Sequence, residues 1–365
     1  MEKKHLKRIL IICPYPVGEA AGQRLKYEQY IDDWEERGYE VKISPFMSKS
    51  LWNIVYLQGN FLRKFIGILR GYLLRVRDLL IVHNFDIVYI FQWTTPFGTA
   101  FYDFIVRRLA KRMIFDLEDF VVLSNKGSSQ EIRNNILKNI RSTSKTEYLI
   151  KHADHVITSS PFLNDFCLKK NVHDAATFIS SSVDTKRFIP SNNYTNEKRI
   201  TIGWTGTFSS KPYLDLIQNV FVRLADICDF KLRIIANFDY NIRGVDCEVI
   251  QWTKLKEVED LQGIDVGVYP LEDSQWVLGK SGLKAIQYMA FGIPTIATDV
   301  GTTSQIIKHR ENGWLVKTEE EWLEGLQVLI ENQELRRKLG TKARETIVNR
   351  YSTDVIKEQY LNILK

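Results

Sequence analysis

A chain of 365 residues is too long for one ordinary hydrophobic core and fits two domains of about 150 to 200 residues each. Its 44% hydrophobic and 26% charged residues are those of a globular protein, and no window offers the run of about 20 apolar residues that crosses a bilayer. The net charge of +6 is spread among acids over most of the length, so nucleic acid is not expected as a partner; four cysteines without a CxxC pair and six histidines without ligand spacing give no zinc site.

Short β-rich runs alternate with helical patterns from end to end, the pattern of parallel sheets covered by helices on both faces. The first strand is expected over Arg8–Cys13. Its apolar run stops at Pro14, too short for a signal peptide, and the expected location is the cytosol. The loop that follows carries Gly18, Gly22 and Arg24. It is not G-x-G-x-x-G, so a nicotinamide or flavin dinucleotide is not indicated. Glycines at a strand-to-helix turn let a substrate approach backbone amides, and a plain structural turn explains them too. A second strand is expected over Glu40–Ser44. Between Phe61 and Leu80, Arg63, Arg70 and Arg77 repeat every seven residues, joined by Lys64 and Arg75, against Phe65, Ile66, Leu69, Tyr72, Leu73 and Leu80. Such a helix suits an anionic membrane surface; the alternative is an outer helix with a solvated basic face. Strands follow at Ile87–Phe91, Arg112–Phe115 and His155–Thr158. Asp116, Glu118 and Asp119 put three carboxylates in four residues, read as lining a cleft, or as capping and turn acids.

The polar stretch from Pro190 to Asn196 is the best linker. Strands begin again at Arg199–Trp204, then at Lys231–Ala236, Cys247–Gln251, Val266–Tyr269, Thr295–Ala297 and Gly313–Val316. The first is followed by a small-residue turn with Thr207 and Lys211, and Pro212 fits a first helical turn. In open α/β sheets ligands bind beyond the carboxyl ends of the strands, so two such domains are expected to share a central cleft. From Pro270 to Trp276 the chain is too polar for core except at Leu271 and Trp276, and Trp276 either covers a ligand or anchors the loop. Gly279 to Pro294 is the most informative segment. Ser281 is a good N-cap, Gly282 permits close approach, and Leu283, Ile286 and Ala290 recur at helical spacing, predicting a helix from about Gly282. Its first amides lack intrahelical acceptors and carry the positive end of the helix dipole. Lys280, Lys284 and Gln287 lead away from that point, the pattern of an anion site; a capped helix with solvated lysines is the alternative.

This segment, G-K-S-G-L-K-A-I-Q-Y-M-A-F-G-I-P, resembles the donor-nucleotide helix of the family 4 (group 1) glycosyltransferases, which have the GT-B fold. The similarity extends over nearly the whole chain, most clearly from about Val266 to Leu315. It implies two Rossmann-like doubly wound domains facing a cleft: residues 1–190 with a returning C-terminal helix at about 352–365 on the acceptor side, and 197–351 on the donor side. By the same resemblance Lys280, Ser281, Gly282, Leu283 and Lys284 meet the diphosphate of a nucleotide sugar, with Thr207 beside them. Gln287 then reaches the ribose, and Gly18, Gly22 and Arg24 form the acceptor loop. Asp119 is the candidate for orienting or deprotonating the acceptor hydroxyl. Gln92 stands where many relatives have a histidine. The chain departs from the broader family at Gly279 and Gln287, where glutamates are usual. The implied activity is retaining transfer from a nucleotide diphosphate sugar to a glycan or lipid-linked acceptor, in cell-surface polysaccharide synthesis. No metal and no cofactor beyond the donor is implied, and a peripheral position on the inner face of the plasma membrane is. A GT-B sugar-nucleotide 2-epimerase and a non-catalytic GT-B subunit are the alternatives.

Overall fold

The structure, a computed structural model, describes residues 6–119, 143–191 and 199–365. The chain divides into two compact units, Met1–Ser180 with Lys357–Lys365, and Ser181–Ile356. In the first, six parallel strands, β1 (Lys7–Cys13), β2 (Tyr39–Pro45), β3 (Ile87–Phe91), β4 (Met113–Leu117), β5 (His155–Thr158) and β6 (Ala176–Phe178), run in the order β2-β1-β3-β4-β5-β6. In the second, β7 (Ile200–Thr205), β8 (Phe230–Ala236), β9 (Cys247–Gln251), β10 (Val266–Tyr269), β11 (Thr295–Thr298) and β12 (Trp314–Val316) run β12-β11-β10-β7-β8-β9, again all parallel. Central strands such as Lys-Arg-Ile-Leu-Ile-Ile-Cys are apolar without alternation because helices cover both faces. Strand β6 escaped sequence reading: three residues, Ala-Thr-Phe, all half-buried, give no run to recognise.

Each order reverses once, between β1 and β3 in the first sheet and between β7 and β10 in the second. Loops leaving the carboxyl ends on either side of such a reversal diverge and leave a crevice where open α/β sheets bind ligands. The first reversal is flanked by the loop after Cys13 and by Gln92, the second by the loop after Thr205 and by the segment after Tyr269.

The division between the units falls at Ser180/Ser181, ahead of the turn-rich stretch at 190–196, of which 192–196 lie outside the described residues. Residues 183–188 are tied to the second unit. Val183 N–H donates to Tyr351 O at 3.1 Å, Thr353 N–H donates to Val183 O at 3.1 Å, and Arg344 donates to the carbonyls of Thr185 and Phe188. The last helix, Thr353–Leu364, is shared, with Lys357 onward in the first unit.

Candidate functional site

The helix predicted from Gly282 runs Leu283–Ala290, but Ser281 does not cap it. Gly282 is the N-cap residue, left-handed at φ 72°, and no side-chain cap bond is made. A Cβ on Gly282 would collide with Ile306 and stand 3.2 Å from Thr302 Oγ1. The turn is closed instead by Thr302 Oγ1, which donates to Lys280 O at 2.7 Å. The orphan amides at the start of this helix therefore belong to a glycine-dependent turn whose geometry is set by packing and by Thr302.

Beneath it, the helix is buried on nearly every side, from Ala285 to Ala290. Tyr288 Oη accepts from Thr205 N–H at 2.7 Å, so the helix is bonded to the end of β7; Gly267 in β10 leaves room for the Tyr288 ring, which a Cβ there would meet at 2.6 Å. This anchors the helix at the reversal of the second sheet. Lys284 Nζ lies 5.7 Å from the ring centre of Trp204 and 5.5 Å from that of Tyr269, aromatic residues near the ends of β7 and β10. Lys280 Nζ lies 5.2 Å from the Tyr213 ring and 6.0 Å from the Trp276 ring. Cations on aromatic faces are held there by attraction to the electron-rich ring face. Trp276, half-buried, thus lies within cation–π reach of Lys280. Gln287 is 6% exposed, so only a small part of its side chain reaches the surface.

Thr207 is exposed on the loop after β7; its N–H donates to Ser210 Oγ at 3.1 Å and its hydroxyl lies 2.9 Å from Ser209 Oγ. Lys211 is paired with Asp215 at 2.9 Å and lies over the Tyr240 ring, so it is occupied within its own helix.

In the first unit, Gly18 is left-handed at φ 79°, and its N–H donates to Glu28 Oε2 at 2.8 Å. Gln23 donates to Tyr15 O and Glu28 Oε1, which pins the loop. Gly22 has a specific reason to be glycine: a Cβ there would collide with the Glu118 carboxylate. Gln92, at φ 55°, donates to Glu118 Oε2 at 3.3 Å. Glu118 therefore joins the two sides of the first reversal. In the sequence it is one of three neighbouring acids, and only its contacts with Gly22 and Gln92 distinguish it. Asp119 is half-buried beside it at φ 66°, and Arg24 is 6% exposed. Asp116 does not line a cleft. It is wholly buried, paired with Lys26 and accepting from the Tyr89 hydroxyl; burial raises its carboxyl above the usual range, against the pull of Lys26 and Tyr89. Asp116 lies within β4, which is buried on both faces, while Glu118 lies just past the strand end.

Among the described residues no group of three or more His, Cys, Asp and Glu side chains is arranged to hold a metal ion.

Residues 244–346, which include this helix and its lysines, match the family described as glycosyl transferases group 1. Over 210 residues the chain is 24% identical to the N-acetyl-alpha-D-glucosaminyl L-malate synthase of Bacillus anthracis, covering 53% of each. Over 101 residues it is 33% identical to the poly(ribitol-phosphate) alpha-N-acetylglucosaminyltransferase of Staphylococcus aureus (strain COL), covering 26% of this chain and 20% of that one. The chain spans about half or less of the length of the curated relatives it matches. Among solved structures, Anabaena HepE in complex with UDP and glucose superposes with a TM-score of 0.67 at 14% identity, covering 99% of both chains. The fold is GT-B, built of two Rossmann-like units, and the resemblance carried by the helix from Gly279 to Pro294 is independently shown over residues 244–346.

Proposed function

We propose that this chain, a group 1 glycosyltransferase by its second unit, transfers a sugar from a nucleotide diphosphate sugar to a hydroxyl of a glycan or lipid-linked acceptor in cell-surface polysaccharide synthesis. The observation that carries the reading is the helix start after Gly282, with Lys280 and Lys284 held on aromatic faces at the reversal of the second sheet. Breaking the bond between the anomeric carbon and the phosphate oxygen leaves negative charge on the diphosphate. Preorganised amides and two ammonium groups stabilise that charge as it develops, and this is where a transferase gains most. Gln287 would meet the ribose and Thr207 the diphosphate edge.

On the acceptor side the candidates are the loop of Gly18, Gly22 and Arg24, with Gln92 and Asp119 near Glu118. The acceptor hydroxyl attacks the anomeric carbon on the face the diphosphate leaves, its proton passing to the departing phosphate oxygen, so configuration is retained and no metal takes part. Asp119 orients the hydroxyl. The HepE structure with UDP makes a uridine nucleotide the first donor class to try. Poly(ribitol-phosphate) in a relative's name favours a phosphate-bearing polymer among acceptors. The working place would be the cytosolic face of the membrane.

The test is calorimetry with nucleoside diphosphates, followed by incubation with nucleotide sugars with and without acceptor. Binding together with acceptor-dependent release of nucleoside diphosphate supports the proposal. Conversion of the donor to its epimer without acceptor would replace it with the epimerase reading, and absence of any nucleotide binding would leave a non-catalytic subunit.

A further inference from the structure

The helix Phe61–Ile81 is mounted with its apolar side outward. Its inner side is built for close approach: a Cβ on Gly67 would collide with Leu51, and one on Gly71 with the Phe46 ring. Arg75 and Asp78, both buried, complete that side. The outer side carries Leu62, Ile66, Leu69, Leu73, Val76 and Leu80, at alternating steps of four and three, each half or more exposed. Steps of four and three keep residues on one line of a helix, so these six form a continuous stripe, about 30 Å long in a helix of this length. Phe61 and Phe65, also exposed, stand beside it. Eight of the 25 large exposed apolar residues among those described lie on this one helix, a concentration that a solvated outer helix does not show.

Beside the stripe, one position after Leu62, Leu69 and Val76, come Arg63, Arg70 and Arg77, all exposed. The only acid on the helix, Asp78, is turned inward against Arg75, Arg77 and Ser44. Arg70 and Arg77 also border a surface cavity of about 350 Å³, together with Lys49, Leu74 and Val17. The outward side thus presents apolar surface, a row of cations and a cation-lined recess, with no carboxylate of the helix exposed.

We propose that this helix lies in the headgroup region of an anionic bilayer, the stripe immersed and Arg63 and Arg70 on lipid phosphates, with Arg77 beside them held on Asp78. A helix with this division of surface sits in the plane of the interface, with its apolar side about 5 to 10 Å deep. A second copy of the chain is a poorer occupant, since it would bring the same arginines to the same line and no carboxylate to meet them. The inference deepens the lipid-linked acceptor reading but rests on the first unit alone. It also differs from attraction by arginines only. Charge attraction fades when salt shortens the screening length from about 10 Å to about 3 Å, whereas immersion of leucines persists.

The test is flotation of the full chain with vesicles of phosphatidylcholine alone or with phosphatidylglycerol, at low and high salt. The native chain is expected to float with the anionic vesicles and to remain partly bound at high salt. Arg63→Gln with Arg70→Gln and Arg77→Gln should abolish the preference for anionic lipid. Leu69→Glu with Leu73→Glu should abolish flotation, with circular dichroism and nucleoside diphosphate affinity unchanged; these positions are exposed and remote from the nucleotide residues in the sequence. Failure of the native chain to float, or equal flotation of the leucine variant, overturns the proposal. So does a concentration-dependent dimer in sedimentation velocity that the leucine variant dissolves, which would make the stripe an interface between copies. Sugar transfer to a water-soluble acceptor by the leucine variant separates failure here from failure of the enzymatic reading.

Discussion

Lys284 rests on Trp204 and Tyr269 and Lys280 on Tyr213 and Trp276, so aromatic faces help to orient both ammonium groups. Removing either cation should weaken a diphosphate without disturbing the fold. For Lys280→Ala or Lys284→Ala the expected loss of nucleoside diphosphate affinity is about 1.5 to 3 kcal/mol, the range of a charge-assisted hydrogen bond. Unchanged affinity in both variants by calorimetry would remove the diphosphate role. Gln287 is a sharper case because it is almost enclosed. If its amide meets ribose, Gln287→Ala lowers affinity for nucleoside diphosphate and leaves that for pyrophosphate alone; equal effects on both ligands would mean that the substitution acts through helix packing. The buried thiols contribute no chemistry. Burial pushes Cys13 and Cys167 up to about 12, which keeps both protonated and unreactive at neutral pH.

The helix Leu283–Ala290 shows how an element's start can be fixed by its surroundings. A serine before a glycine and an apolar run reads as an N-cap, yet the side chain that closes this turn belongs to Thr302, 22 residues away from the carbonyl it meets. The structure therefore predicts opposite outcomes at adjacent positions. Ser281→Ala should leave the unfolding free energy nearly unchanged, because no cap bond is lost. Gly282→Ala should cost about 1 to 3 kcal/mol, since a side chain is forced into a left-handed residue and against Ile306. Urea titrations of the two variants check this, and an equal loss in both would restore the serine cap. The same logic applies to Phe61–Ile81, where the basic residues do not act as one group. Arg63 and Arg70 face outward, Arg77 is exposed but turns its guanidinium onto Asp78, and Arg75 is 1% exposed.

Across the first unit, Arg75 is a tie between strands. It donates to Cys13 O at 2.9 Å at the end of β1, to Ser44 O at 3.0 Å in β2, to Thr94 O at 2.6 Å beyond β3, and to Asp78 at 2.9 Å. These are the strand ends around the first reversal, so the crevice there is held from behind by one guanidinium. Arg75→Leu should destabilise the protein by about 3 to 5 kcal/mol, because carbonyls and Asp78 lose a buried partner. Denaturant unfolding measures it, and a loss below about 1 kcal/mol would show that water or neighbouring donors replace the arginine. In the second unit the comparable constraint is steric. A Cβ on Gly340 would collide with the carbonyl of Gly292, so the helix Gln333–Arg350 lies directly against the turn that ends Leu283–Ala290.

Strands such as Ile87–Phe91 and Val266–Tyr269 were legible residue for residue, because burial on both faces leaves an uninterrupted apolar run between polar turns. The cationic helix start at Lys280–Lys284 was legible for a related reason: local spacing alone places those groups at one helix end. What depended on distant partners was not. Period and composition are the same for an arginine on a helix whether it points to solvent or to three strand ends, so Arg75 was read with the surface. The stripe from Leu62 to Leu80 has the same spacing as a core face, and only the glycines that press its other side onto Phe46 and Leu51 turn it outward. Glu118 gained its place from the missing side chain of Gly22, 96 residues earlier, and Trp204 and Tyr269 gained theirs because two strands that are not neighbours in sequence lie side by side in the sheet. Local patterns determine which elements form and which faces are apolar; which of those faces meet each other is decided by packing at long range, and that decision assembles the site.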